Sequence, residues 1–295
     1  MFAITQPVER LVNLWLGRYR QHPPSKPTTT SPAALITGAS EGIGLALAET
    51  FATDPRHRII LIARRASALA TVASAIQQRH GAAPLILALD VTTVDAMTTI
   101  EQLLDLHNLH VDVLVNNAGI GLAGPFADAS PAMIEQLMAL NMAALTRLTR
   151  HFLPGMLERG TGGVLNVASM GGLIPGPFQA TYYASKAYVI SLTRAIRAEC
   201  RGQGVRIAVV VPGPVETKFH ARMGAETAYY RRLMWAPSAE FVARVAYRGY
   251  RWGRTTIIPG WSWSVLAITM KHAPLAVSLP IVRWLLRPRD YRSRD

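Results

Sequence analysis

Seven short apolar runs recur along the chain, at 33–37, 58–63, 85–89, 111–115, 163–168, 205–211 and 255–258, with helical periodicity in the gaps. This alternation constrains the fold more than any other feature. The run at 58–63, Arg-Ile-Ile-Leu-Ile-Ala, is apolar at consecutive positions and not at alternate ones. Such a strand needs cover on both faces, the mark of a parallel sheet buried between helices. Helical segments near 42–53, 66–80, 93–107, 131–158, 180–202 and 238–252 supply the cover. The pattern predicts an α/β fold: a doubly wound, mostly parallel seven-stranded sheet with helices on both faces and right-handed crossovers. Ligands of such a sheet bind beyond the carboxyl ends of its strands. The 295 residues, half of them hydrophobic, allow a sizeable core and exclude a disordered chain.

The first strand ends Thr37-Gly38-Ala39-Ser40-Glu41-Gly42-Ile43-Gly44 and runs into a helix. Glycines there let the backbone turn tightly and approach a pyrophosphate, while the helix N-terminus offers unpaired N–H groups. Gly38, Ser40, Glu41, Gly42, Ile43 and Gly44 are therefore expected to hold a dinucleotide. At the end of the second strand a carboxylate would bind a ribose 2′-hydroxyl and a cation a 2′-phosphate. The chain offers Ala63 and then Arg64, which favours NADP(H) over NAD. Arg65 either assists or is a solvated cation at a helix start.

With these residues in view the chain resembles the classical short-chain dehydrogenase/reductase family, which implies a Rossmann fold. The spacing Gly38-x3-Gly42-x-Gly44 is that family's, distinct from the generic G-x-G-x-x-G. Asp90-Val91 matches its adenine-contacting pair, and Asn116-Asn117-Ala118-Gly119 its motif after the fourth strand. Asn141 stands at the family's active-site asparagine. Ser169 follows the fifth strand, and Tyr182-Tyr183-Ala184-Ser185-Lys186 lies 13 residues further on. Pro212, Gly213, Val215 and Thr217 fall in the loop on the nicotinamide side. The resemblance covers about 33–260.

Tyr182 and Lys186 are four apart on a predicted helix and share a face. A free tyrosine is a poor base at neutral pH. A nearby ammonium and an oxidised nicotinamide are expected to favour its phenolate, making Tyr182 the general acid or base. The offset from Ser169 and the Tyr-x-x-x-Lys pattern select Tyr182 over Tyr183. The resemblance further implies that Ser169 bonds the reacting oxygen, that Lys186 also holds the nicotinamide ribose, and that Asn141 supports a proton-relaying water.

Met170, Ile174, Phe178, Phe219 and Met223 are the expected substrate contacts, in segments after the fifth and sixth strands. Tyr229, Tyr230, Met234 and Trp235 continue the second segment. Their apolar character fits a greasy ligand, although plain core or lid packing would leave the same composition. Lys218 and Arg222 are the cations nearby, so a small, multiply charged substrate is disfavoured. His220 reads as a loop histidine.

Lys and Arg exceed Asp and Glu by 13, an excess that suggests an anionic partner. Residues 1–32 carry four basic against one acidic residue, 244–295 ten against two, and 33–243 seventeen against fifteen. The charge thus sits at the ends. This divides the chain into an N-terminal amphipathic segment with a Pro-rich linker (1–32), a catalytic domain (33–260) and an apolar, basic extension (261–295). Val8, Leu11, Val12, Trp15 and Tyr19 fall at helical spacing in the first part. The extension either lies in an anionic membrane interface or packs on its own domain or a second subunit. Nothing in the pattern supports nucleic-acid binding. The single Cys200 excludes an intrachain disulfide and a Cys-based zinc site, and no metal is expected.

The expected location is the cytoplasm, with the inner face of a membrane open to it. The resemblance implies a homo-oligomer. It also implies an NADP(H)-dependent oxidoreductase acting on a lipophilic ketone, aldehyde or secondary alcohol, steroid-, retinoid- or acyl-like. The alternatives are a 3-oxoacyl-carrier-protein-type reductase and a non-catalytic NADP-binding scaffold or sensor.

Overall fold

The computed structural model describes residues 29–288, with only the backbone of Arg231, Ala267, Ile268, Met270 and Lys271. The helical spacing at 8–19 and the basic tail beyond Pro288 lie outside the described residues. Seven strands are described: β1 (Ser31–Thr37), β2 (Arg58–Ala63), β3 (Leu85–Ala88), β4 (Leu109–Asn116), β5 (Gly163–Val167), β6 (Arg206–Val210) and β7 (Thr256–Ile257). They form one sheet in the order β3-β2-β1-β4-β5-β6-β7. Every pairing is parallel.

The consecutive apolar residues point alternately to two buried faces. Ile36, Leu61, Val115 and Val210 pack with Phe51 of α1 (Gly42–Ala52), Ile76 of α2 (Ala66–His80) and Val242 of α9 (Ala239–Arg251). Leu35, Ile60, Leu114 and Ile207 pack with Ile100 of α3 (Ala96–Leu106) and Phe152 of α5 (Leu145–Arg159). Leu35, Ile60 and Leu114 have no exposed surface, and each contributes roughly 1.5–3 kcal/mol through burial.

Two predicted helices change shape. The segment 131–158 is α4 (Pro131–Met138), a π-helical turn (Ala139–Ala144) and α5. Single π-turns of this kind recur at functional sites. The segment at 93–107 starts only at Ala96, because Asp90 holds Thr92 and Thr93 in a turn; Thr92 N–H and hydroxyl donate to the Asp90 carboxylate at 2.9 and 2.7 Å. Beyond β5 lie α6 (Ala180–Glu199) and, after β6, the short helices α7 (Phe219–Arg222) and α8 (Tyr229–Leu233). Two further helices follow β7, α10 (Trp261–His272) and α11 (Leu275–Leu286). Cys200 is buried at the end of α6.

Candidate active site

Strand order reverses between β1 and β4, and the crevice opens there, as the topology demands. The turn after β1 has Gly38 at φ +66° and Gly42 at φ +56°, conformations that favour glycine. A Cβ on Gly44 would sit 2.2 Å from the Gly38 carbonyl oxygen, so α1 starts flush against the turn. Asn117 pins the turn from β4: its Nδ2 donates to the Thr37 and Gly38 carbonyls at 3.0 and 3.1 Å. The Thr37 hydroxyl oxygen accepts from the N–H groups of Asn117 and Ala118 at 3.0 and 3.1 Å.

A cavity of about 1040 Å³ extends from this turn. Gly38, Ser40, Glu41, Gly42, Ile43 and Gly44 line it, as do Arg64, Asp90 and Val91. Asn117, Ala118, Gly119, Pro212, Gly213, Val215 and Thr217 continue the lining. A side-chain-free cradle, a helix N-terminus and an exposed Arg64 at one end fit a phosphorylated dinucleotide. Partial burial works against ionisation of Asp90, but the Thr92 hydrogen bonds and nearby Arg64 outweigh it and hold the carboxyl below its usual range. The Glu41 side chain is turned to cations: it pairs with Arg65 at 3.3 Å and with Arg222 of α7. The Glu41–Arg222 pair spans the cleft between the glycine turn and the segment after β6.

Deeper in the cavity Tyr182, Ser169 and Lys186 come together. Tyr182 is buried, with its ring 5.5 Å from Phe219 and Lys186 Nζ 5.8 Å from its centroid. Burial pushes its phenol well above the ordinary value, and the hydrogen bond to Ser169 only partly offsets this. The expected depression by the ammonium does not govern the phenol: Lys186 Nζ donates to the Val167 carbonyl at 3.0 Å, and desolvation dominates. The Ser169 hydroxyl also accepts from Gly171 N–H at 3.1 Å, capping the short turn that follows.

Burial lowers Lys186 to about 8. Its ammonium is thus present below that pH and lost above it. Any step that draws its proton through Lys186 is expected to be level through neutral pH and to slow as pH rises through about 8. A profile of kcat that stays level to about pH 10 would remove Lys186 from proton delivery.

Asn141 is buried in the π-turn and does not line the cavity. Its Oδ1 accepts from Ile120 N–H at 2.9 Å, and its Nδ2 donates to the Ile120 carbonyl at 2.8 Å and the Ser185 hydroxyl at 3.1 Å. The side chain holds the loop under Lys186; a Cβ on Gly119 would lie 3.1 Å from Asn141 Oδ1 and 3.5 Å from Lys186 Nζ.

Of the five expected substrate contacts, Met170, Ile174, Phe219 and Met223 line the cavity, and Phe178 does not. Phe178 sits at φ +63°, and its carbonyl accepts from Gly124 N–H at 2.8 Å. That turn brings the neighbouring Gln179 to the wall instead. The larger omission from the sequence reading is the far wall. Trp263 and Leu266 of α10 and Val282, Leu285 and Leu286 of α11 face the cavity. Val282 and Leu286 pack in one cluster with Tyr182, Met223 and Tyr230, and Trp284 stacks on Tyr229 at 5.2 Å. The repeat Ser278, Val282, Leu286, four apart, was the legible signal of an inward face.

Together these elements define a dinucleotide-cleft α/β domain with a buried Ser–Tyr–Lys constellation. Residues 32–228 match the short chain dehydrogenase family, and the chain belongs to it. A ketoacyl reductase of Nostoc sp. is 38% identical over 189 residues, 64% of this chain and 65% of that protein. A galactitol 2-dehydrogenase (L-tagatose-forming) of Cereibacter sphaeroides is 37% identical over 192 residues, 64% of this chain and 74% of that one. The match thus spans less than two thirds of the Nostoc relative. A solved short-chain dehydrogenase from Sphingobium yanoikuyae in complex with NADPH superimposes with a TM-score of 0.72 at 28% identity, covering 90% of this chain and 100% of that one.

Proposed function

We propose that the protein is an NADP(H)-dependent reductase or dehydrogenase acting on a lipophilic ketone, aldehyde or secondary alcohol. The observation that carries this is the buried Tyr182 phenol beside Ser169 and Lys186, in a cavity whose far wall is made of apolar side chains from α10 and α11. A bound nicotinamide would supply or accept the hydride. Tyr182 gives its proton to the substrate oxygen during reduction and takes one during oxidation. Ser169 donates to the same oxygen and fixes its place. Lys186 replaces the phenol's proton, and Asn141 holds the loop that supports the ammonium. Residues 33–260 carry this chemistry, and the extension from 261 closes the substrate end.

Arg64 is the group assigned to the 2′-phosphate, supported by its place in the cavity and by the NADPH-bound relative. Arg64→Ala is expected to weaken NADPH roughly 10–100-fold, with NADH little changed. An unaltered NADPH-to-NADH preference would overturn the assignment. The substrate class is tested by NADPH oxidation with matched apolar and polyhydroxy ketones. Faster turnover of sugar ketones would favour a reading closer to the galactitol dehydrogenase. A long-chain 3-oxoacyl substrate is the second reading, and the ketoacyl reductase relative favours it.

A further inference from the structure

α11 is apolar on every side. Ser278, Val282 and Leu286 are buried along one face, whereas Val277, Ile281 and Trp284 on the opposite face are 56%, 52% and 52% exposed. Arg283 is its one charged residue. On α10, Trp261 is 83% and Val265 55% exposed, while Trp263 is buried. A helix apolar all round belongs inside something, yet half of this one faces outward. Among the described residues nothing supplies the outer faces of the two helices with the cover that their composition calls for. Neither helix is long and apolar enough to cross a membrane.

We infer that the outer face of α10 and α11 seats the protein on an anionic lipid surface. Charge decides between the occupants such a face admits. No Asp or Glu occurs between Glu240 and Asp290, a stretch that includes Lys271, Arg283, Arg287 and Arg289. A second copy of this chain, joined about a two-fold axis, would bring the exposed Arg283 of each α11 toward its counterpart, like charge against like. An anionic bilayer complements the charge, and tryptophan and aliphatic side chains fit the headgroup–acyl boundary. The geometry adds a consequence. α11 is a slab one helix thick, with Val282, Leu285 and Leu286 toward the cavity and Val277, Ile281 and Trp284 toward the lipid. An apolar substrate dissolved in the bilayer would then lie one helix away from Tyr182.

The seating does not depend on the reaction, so it is tested without turnover. The full chain is floated with neutral phosphatidylcholine vesicles and with vesicles containing about 30 mol% phosphatidylglycerol. Expected is at least about tenfold stronger binding to the anionic vesicles, weakened in about 0.5 M salt. The double variant Val277→Glu, Ile281→Glu should lose at least about tenfold of that binding while still binding NADPH, since neither residue lines the cavity. Absence of vesicle binding by the unaltered chain would overturn the inference, as would a double variant that binds vesicles unchanged. A dimer that the double variant splits, with no vesicle binding by either form, would assign the face to a second copy. Should the double variant not fold, Trp261→Phe, Trp284→Phe is the test: brominated lipid should quench tryptophan emission in the unaltered chain and much less in this variant. Equal quenching would also overturn the inference.

Discussion

Tyr182→Phe is expected to lower turnover about 10³-fold and to leave NADPH binding unchanged. The substitution removes one oxygen and no packing. The ring stays in the cluster with Met223, Tyr230 and Val282 and keeps its tilted contact with Phe219, so the fold has no reason to shift. What is lost is the phenol hydroxyl that hydrogen-bonds Ser169. Tyr183 lines the same cavity but is wedged against Gly171 and Gly176, where added Cβ atoms would lie 3.0 and 2.3 Å from its ring, and no hydrogen bond to Ser169 is described for it. Burial keeps its phenol protonated as well. Single-turnover reduction measured beside cofactor titration checks the result. A variant with more than about a tenth of normal activity would remove Tyr182 from the chemistry.

Gly44→Ala should be the most damaging small substitution in the cofactor crevice. The new methyl would lie 2.2 Å from the Gly38 carbonyl oxygen and 2.4 Å from Asn117 Nδ2. Neither can retreat, because Gly38 is fixed by its own turn and Asn117 Nδ2 is held by two carbonyls. α1 must back away from β1, which moves the helix N-terminus off the phosphate position. NADPH binding is expected to fall at least about 10²-fold, with a stability loss of about 2–3 kcal/mol. Gly81→Ala is the control. It has a positive φ of 81°, which Gly44 lacks, but open space where the Cβ would stand. Its cost is backbone strain of about 1 kcal/mol, without an effect on NADPH. Thermal melts and cofactor titrations of both variants check this, and equal NADPH binding by the two would refute the close-approach account.

What the sequence made legible was whatever local pattern encodes. Consecutive apolar runs set the strands, glycine spacing the first turn, and the interval from Ser169 to Tyr182 and Lys186 the chemical centre. Distant partners stayed hidden. No local pattern reports that Glu41 meets Arg222, 181 positions away. Phe178 looked like a pocket residue by its neighbours' character, but a left-handed backbone turned it aside in favour of Gln179. The π-turn at Ala139–Ala144 changes no hydrophobic period enough to be read, although it is what carries Asn141 to Ile120. α10 and α11 are visible as apolar segments, and the repeat Ser278, Val282, Leu286 marks the inward face of α11, but that this face walls the cavity required the fold.

The far wall also orders the making of the molecule. Synthesis runs from the amino terminus, so the crevice between β1 and β4 can form before Val282 and Leu286 exist. Until α11 docks, Leu137, Met223 and Tyr230 have no cover from it. A nascent chain halted before residue 261 would carry an assembled nucleotide cleft beside a bare greasy surface, the kind that chaperones hold and that neighbouring chains stick to. Docking of α11 is thus the step that ends this exposure, and truncations there should show first as insoluble product, while the glycine turn made earlier is still intact.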